Sequence, residues 1–233
     1  MLIITPVKNS IDTTLQCAKA ISESLLPVEH IIFNDFSSED TKEKLERHKQ
    51  ELGYGLIHLE DITNTPSPNY KIVLQMGQKE AVQRGMPLVV IESDVIIKPN
   101  TLIKMKEYLE NNPKTGLLGA ITVDEAGEVN FPYLKFKGKK DNVIQTERSL
   151  SFCCTLFSPQ FLSTFNFSEL DDTKDWYDTF MSKKSVELGF INLVLMDAPV
   201  VHLPHSSRPW KQLKYTNPLK YYFLKFIKGR DKI

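Results

Sequence analysis

The chain has 233 residues, 41% of them hydrophobic, which is enough to bury a substantial core in one large domain or two small ones and excludes disorder as the default. Its 29 basic and 29 acidic side chains cancel, so the global charge gives no reason to expect nucleic acid as a partner. Three cysteines, with Cys153 and Cys154 adjacent, exclude a disulfide framework, since neighbouring residues bridge only with strain.

The first half alternates short apolar runs with longer helix-like segments, the pattern of parallel strands joined by crossover helices. Strands are predicted at Leu2 to Thr5, His30 to Phe33, Leu56 to Leu59 and Leu88 to Ile91. Between them, Thr13 to Leu25, Thr41 to Leu52 and Tyr70 to Arg84 carry apolar residues at helical spacing. Pro99 opens a further helix that Asn112-Pro113 stops. The pattern then changes: Gly116 to Val123 and Ser149 to Phe157 read as strands, Asp172 to Leu188 as a charged helix, and Ile191 to Met196 and Pro199 to His202 as two last strands. The second half is expected to extend the same sheet with antiparallel strands, as an α/β fold with helices on both faces. The polar clusters at the strands' carboxyl ends mark the ligand crevice.

One cluster is Glu92-Ser93-Asp94, where an apolar strand runs into two carboxylates. In an extended chain they point to the same side, and hard oxygen donors of this kind suit Mg²⁺ or Mn²⁺ beside a diphosphate. A second is Asn34-Asp35 at the end of another buried strand, His30 to Phe33, followed by Ser38 and Asp40, which can cap a helix. A third is Glu169, Asp171, Asp172, Asp175 and Asp178 around Trp176 and Tyr177. With a helix from Asp172, residues Asp172, Asp175 and Asp178 share one face; acidic residues are also favoured at any helix start by its dipole. The fourth is His202 at the end of the last strand, with His205 beyond Pro204. Ser207 to Lys211 follows as a loop suited to closing over a diphosphate, with Arg208 making the bidentate phosphate contact.

The order of these motifs resembles glycosyltransferase family 2, the inverting enzymes of GT-A fold. Thr5-Pro6-Val7-Lys8-Asn9 looks like the first-strand motif, Asn34-Asp35 with Ser37 to Thr41 like the second, and Glu92-Ser93-Asp94 like the Asp-x-Asp metal motif, with Pro99 after it. The sequence departs from the usual pattern at Lys8 (aromatic), Asn34 (aspartate), Phe36 (glycine) and Glu92 (aspartate). The resemblance implies that Thr5, Pro6 and Asp35 line the base and ribose, that Glu92 reaches the ribose side, and that Asp94 holds a divalent metal, Mn²⁺ or Mg²⁺, with His202 as a further ligand. It implies Asp175 as catalytic base, followed by Trp176 against the substrate; Lys174 replaces a usual glutamate, and a slip of one turn would move the base to Asp172 or Asp178. The implied reaction is one displacement that moves a sugar from a UDP-, GDP- or dTDP-sugar to a glycan or lipid-linked hydroxyl, in cell-surface polysaccharide or glycolipid assembly.

Two rivals stay open. A nucleotidyltransferase also uses an α/β sheet and acidic loops, but Val7 to Thr14 has no glycine and only Lys8 to hold a triphosphate. A degenerate relative would bind a sugar nucleotide without turnover. As for location, the N-terminus lacks the basic start and apolar length of a signal peptide, and no apolar stretch reaches the ~18 residues of a membrane helix, so a cytoplasmic protein is expected. The sequence divides into a GT-A-like domain over 1–207 and a basic aromatic segment over 208–233. That segment sets eight bases against the single Asp231 and interleaves them with Trp210, Tyr215, Tyr221, Tyr222, Phe223, Phe226 and Ile227. A helix opened by Pro218 would gather Tyr222, Phe223, Phe226 and Ile227 on one face, for contact with the inner membrane surface or with the domain itself.

Overall fold

The structure, a computed structural model, describes residues 1–171, 176–204 and 217–228. It opens with β1 (Leu2–Val7), α1 (Ile11–Ser22), β2 (Glu29–Asn34), α2 (Glu39–Leu52), β3 (Gly55–His58), α3 (Tyr70–Gln83) and β4 (Leu88–Ile91). There follow β5 (Val95–Ile96), α4 (Thr101–Asn111), β6 (Thr115–Val123), β7 (Val143–Gln145), β8 (Cys154–Phe157), α5 (Pro159–Thr164), α6 (Tyr177–Glu187) and β9 (Ile191–His202). The nine strands form one sheet in the order β3-β2-β1-β4-β8-β6-β9-β5, with β7 on β9. β1 to β4 pair in parallel, β8 runs antiparallel to both β4 and β6, and β9 lies parallel to β6. The parallel first half and antiparallel additions match the expectation.

Strand alternation decides which residues each face receives. Leu2, Ile4, Leu88 and Val90 pack with Val73 and Leu74 of α3, Phe161 of α5 and Met181 of α6. Ile3, Val89 and Ile91 pack on the other face with Cys17 and Ile21 of α1 and Leu102 and Met105 of α4. Both faces are covered, which is why β4 is Leu-Val-Val-Ile without a polar residue. Gly116 lets α6 approach: a Cβ there would stand 2.2 Å from Ser185 Oγ and 2.8 Å from Phe190 Cβ.

Three expectations need correction. Only Cys154–Phe157 of the long strand from Ser149 is a strand; Leu150 and Phe152 instead drop into the core as loop residues, with Leu150 N–H donating to Ser182 Oγ at 2.9 Å. The last two strands are one, because Pro199 falls between the β9 residues that pair with β7 (Leu193–Leu195) and those that pair with β5 (Val201–His202), where no ladder bond to those strands is lost. The charged helix starts at Tyr177, since Trp176 has φ −109° and ψ 49°, so Asp178 lies in its first turn. Residues Asp172 to Asp175 lie outside the described residues, as do His205 to Thr216 with Arg208 and the expected domain boundary.

Buried His30 shows how the sheet constrains a titratable group. Its ring stands 2.9 Å from Thr5 Oγ1, and burial pushes its pKa from 6.5 to about 3. The folded chain keeps His30 neutral, whereas the unfolded chain protonates it below 6.5. Stability from this group is therefore complete above that pH and falls as pH drops, by up to about 1.4 kcal/mol per unit. His30→Gln is expected to flatten this slope in denaturant midpoints measured at stepped pH.

Met1–His202 forms one compact unit and Leu203–Ile233 a second. Among the described residues the second contains α7 (Pro218–Lys228), whose Lys220 N–H donates to Asn217 Oδ1 at 3.1 Å. Tyr221 is buried, but Leu219, Tyr222, Phe223, Phe226 and Ile227 are 56–89% exposed. No helix among the described residues is long and apolar enough to cross a membrane.

Candidate active site

The sheet's pairing register assembles the central cluster. Ile91 pairs with Cys154, and the Glu92 N–H donates to the Cys153 carbonyl at 3.0 Å, which sets Glu92 beside Cys153. The Val95 N–H then donates back to the Glu92 carbonyl at 3.1 Å and closes a tight turn. Glu92 and Asp94 therefore converge through a turn, not through the extended chain the sequence implied. Val95 pairs with His202, so Asp94 Oδ2 comes to 3.5 Å from His202 Nε2. Cys153 Sγ lies 3.4 Å from Glu92 Oε2 and 3.9 Å from His202 Nε2.

His202 is fixed from behind. Its Nδ1 is 2.7 Å from the Phe131 carbonyl, which assigns a proton to Nδ1 and turns Nε2 toward Asp94 and Cys153, the arrangement usual for a metal-ligating histidine. The Asn130 amide donates to the His202 carbonyl at 3.0 Å.

The electrostatics are those of crowded acids. Burial first, then the Asp94 charge, pushes Glu92 up to about 7, against His202. Burial likewise pushes the Cys153 thiol up to about 11. For His202 burial disfavours the charged ring, but the Cys153 sulfur and the Asp94 carboxylate outweigh it and raise its pKa. Two carboxylates and an imidazole make a donor set that a divalent cation satisfies, and its charge would relieve the repulsion. The residues present thus fit a metal.

Beside this cluster Tyr70 stacks between Phe152 and Tyr177, with centroids 6.2 and 6.3 Å away. Its hydroxyl is buried without a hydrogen bond to any described residue. Burial, Glu92 and Asp178 hold its pKa well above 10, so it stays a neutral donor. Asp178 also raises Glu92, which places its charge within electrostatic reach of the cluster.

The Asp35 carboxylate is held by the loop before α3: Oδ2 accepts from Ser67 Oγ at 2.7 Å and Asn69 N–H at 2.9 Å, and Oδ1 from the Asn69 amide at 2.8 Å. Lone-pair sites remain on Oδ1 for a ligand. Thr5 is turned away from the crevice, fully buried against His30, whereas Pro6 beside it is partly exposed. Trp176 is partly exposed just before α6. Asn34 bonds His58 at 2.9 Å, which in turn meets Glu46 at 3.0 Å, so this departure serves the join between β2 and β3.

Phe36 explains the glycine usual at its position. Its φ of 54° lies in the left-handed region, at a cost of about 1–2 kcal/mol for a side chain. Packing of the ring on the core offsets that strain. Lys8 Nζ donates to the Phe36 carbonyl, and Asn9, also left-handed at 56°, receives the Ser38 N–H on Oδ1 at 2.7 Å. The loops after β1 and β2 are thus tied together at the crevice.

Cys153, Tyr70, Ser67 and Asn69 escaped the sequence reading. Cys153 stood out there only as half of an unbridged pair, and Tyr70 only as a helix start.

Comparison with known proteins agrees with this geometry. No curated protein sequence matches the chain. Among solved structures, a mannosyltransferase from Pyrobaculum calidifontis in complex with GDP-Man and Mn²⁺ is 14% identical at a TM-score of 0.67, over 97% of this chain and 64% of that one. S. aureus TarS 1-349 in complex with UDP-GlcNAc gives 17% and 0.67 over 88% of this chain and 59% of that one. GalNAc-T7 with UDP, GalNAc and Mn²⁺ gives 13% and 0.65 over 88% and 44%. The chain spans less than two thirds of the length of each, and the likeness is one of fold, the GT-A type. The sequence model described as glycosyl transferase family 2 matches residues 2–165, most of the first unit, and the chain belongs to that family.

Proposed function

We propose that the chain moves a single sugar from a nucleotide-diphosphate sugar to an acceptor hydroxyl by one direct displacement, with inversion at the anomeric carbon. The observation that carries this reading is the meeting of Glu92 and of Asp94 with His202 at the carboxyl edge of the sheet, with Asp35 on the same edge at the end of β2, two strands away from β4. Asp94 and His202 would hold the metal, Mn²⁺ or Mg²⁺, which when bound supplies positive charge to the departing diphosphate. Asp35 and Pro6 face the base and ribose, Thr5 backs them from within, and Glu92 meets a ribose hydroxyl. Tyr70 offers its hydroxyl as a donor into the same space. Arg208, outside the described residues, is assigned to the diphosphate and Trp176 to the substrate.

The acceptor's proton goes to the acidic segment before and within α6. Asp175, outside the described residues, is the base the resemblance assigns; Asp178 is the described carboxylate within electrostatic reach of Glu92 and Tyr70. Incubating the protein with UDP-, GDP- and dTDP-sugars, Mn²⁺ and an acceptor panel should release a nucleoside diphosphate, with the product's anomeric configuration inverted by NMR. Tight donor binding without release would instead mark a sugar-nucleotide-binding protein.

The acceptor is proposed to be lipid-linked, in cell-surface polysaccharide or glycolipid assembly at the cytoplasmic face of the membrane. What supports this is α7, with its exposed Tyr222, Phe223, Phe226 and Ile227 in a basic stretch of sequence. Each base near an anionic surface adds about 1 kcal/mol. The protein is expected to float with anionic liposomes at low salt and to stay behind after truncation at Asn217; equal flotation of both forms would remove the anchor.

A further inference from the structure

Cys153 is the group that the proposed reaction does not use. It is buried just before β8, and its sulfur meets two of the side chains at the metal position. Mg²⁺ and Mn²⁺ draw little benefit from sulfur, whereas Zn²⁺ and Co²⁺ favour it.

The distances point the same way. In a tetrahedral zinc site with bonds of about 2.3 Å to sulfur and 2.0–2.1 Å to nitrogen and oxygen, neighbouring donor atoms stand about 3.3–3.6 Å apart. In an octahedral Mg²⁺ site with bonds of 2.0–2.1 Å they stand only about 2.9 Å apart. The observed separations are 3.4 Å for Cys153 Sγ to Glu92 Oε2, at the zinc spacing, and 3.9 Å for Cys153 Sγ to His202 Nε2, a few tenths of an ångström beyond it and further still from the Mg²⁺ spacing. The Glu92, Cys153 and His202 ligand atoms all lie within 4.8 Å of one another. The hydrogen bond from Nδ1 to Phe131 sets the imidazole for Nε2 ligation.

We propose that, in the absence of donor, Glu92, Cys153 and His202 form a three-donor site that takes Zn²⁺, with Cys153 as its thiolate ligand, so that zinc competes for His202 with the metal the donor needs. On binding, the thiol proton passes to solvent and a sulfur–zinc bond forms. An ion drawn onto the Cys153 thiolate and Glu92 occupies His202 and leaves Asp94 unable to place Mn²⁺ against it, which makes zinc an inhibitor of donor binding and not a substitute for Mn²⁺. The inference rests on the reading of Asp94 and His202 as metal ligands.

The test uses the full chain, freed of metal with a chelator and titrated with Co²⁺, the spectroscopic stand-in for Zn²⁺, without nucleotide sugar. A sulfur-to-cobalt charge-transfer band in the near ultraviolet and intense tetrahedral visible bands are expected, and Zn²⁺ should abolish both. Cys153→Ser should remove the charge-transfer band and weaken Zn²⁺ by at least about 100-fold in competition with a chelating dye. Cys17→Ala combined with Cys154→Ala leaves Cys153 as the only thiol and should keep the band, which secures the assignment even where Cys153→Ser fails to fold. Cobalt binding without the band in the native protein, its survival in folded Cys153→Ser, or its loss in the Cys17/Cys154 variant would overturn the proposal. Calorimetry of donor with Mn²⁺ on the same preparation separates the two readings. Donor binding without a cobalt–sulfur band refutes the zinc site alone, and the band without donor binding refutes the glycosyl-transfer reading alone.

Discussion

Asp94→Ala is expected to lower sugar transfer by about 10³-fold or more and to abolish metal-dependent donor binding, because it removes the carboxylate that stands 3.5 Å from His202 Nε2. The fold should survive. Asp94 sits in a turn at the end of β4, outside the apolar clusters, and its loss removes one of the charges that raise Glu92 even as it costs His202 one of its partners. Nucleoside diphosphate release and a circular dichroism melt read the two effects separately. A variant that turns over at the native rate would remove Asp94 from the mechanism. A second readout follows from the charges: without Asp94 the Glu92 carboxyl should titrate lower than about 7, visible as a shifted side-chain NMR resonance.

The second large effect is expected in the acidic segment at α6. Replacing the true base by asparagine keeps its shape and removes its proton acceptor, so transfer should fall by about 10²–10⁴-fold while donor affinity barely moves. Asp175→Asn and Asp178→Asn compared side by side identify it. The resemblance favours Asp175. Asp178 lies in the first turn of α6, where its Oδ1 accepts the Thr179 N–H at 2.7 Å and its charge reaches Glu92 and Tyr70. A strong defect in kcat confined to Asp178→Asn would put the base one turn further along than the motif implies. Near-native transfer by both variants would remove this segment from proton transfer.

What the sequence could reveal followed from local pattern. β4 is an apolar run that ends in Glu92-Ser93-Asp94, so both the strand and its acidic turn were legible. The same held for Asn34-Asp35 after β2 and for the helical spacing of α2 and α3. The errors arose where a long-range contact decides the local state. Ser149 to Phe152 has the composition of a strand, but Tyr133 Oη and Ser182 Oγ take the N–H groups of Ser151 and Leu150, so no ladder forms there. Asp197-Ala198-Pro199 looks like a break, yet Lys104 holds Asp197 at 2.9 Å and β9 runs through. Cys153 and Tyr70 were invisible as site residues for the same reason. Only the register of β4 on β8 and the stacking of three rings bring them to Glu92, and neither is encoded within a short window.

The central claim is that Asp94 and its neighbours bind a nucleotide-sugar donor through a divalent metal. The measurement that tests it most directly is a thermal-shift titration with UDP-, GDP- and dTDP-sugars, each with Mn²⁺ or with chelator. One donor should stabilise the native chain by about 2.7 kcal/mol at 100 times its dissociation constant, only with the metal present, and should leave Asp94→Ala unmoved. Stabilisation of equal size in chelator, or by none of the donors with Mn²⁺, would contradict the account.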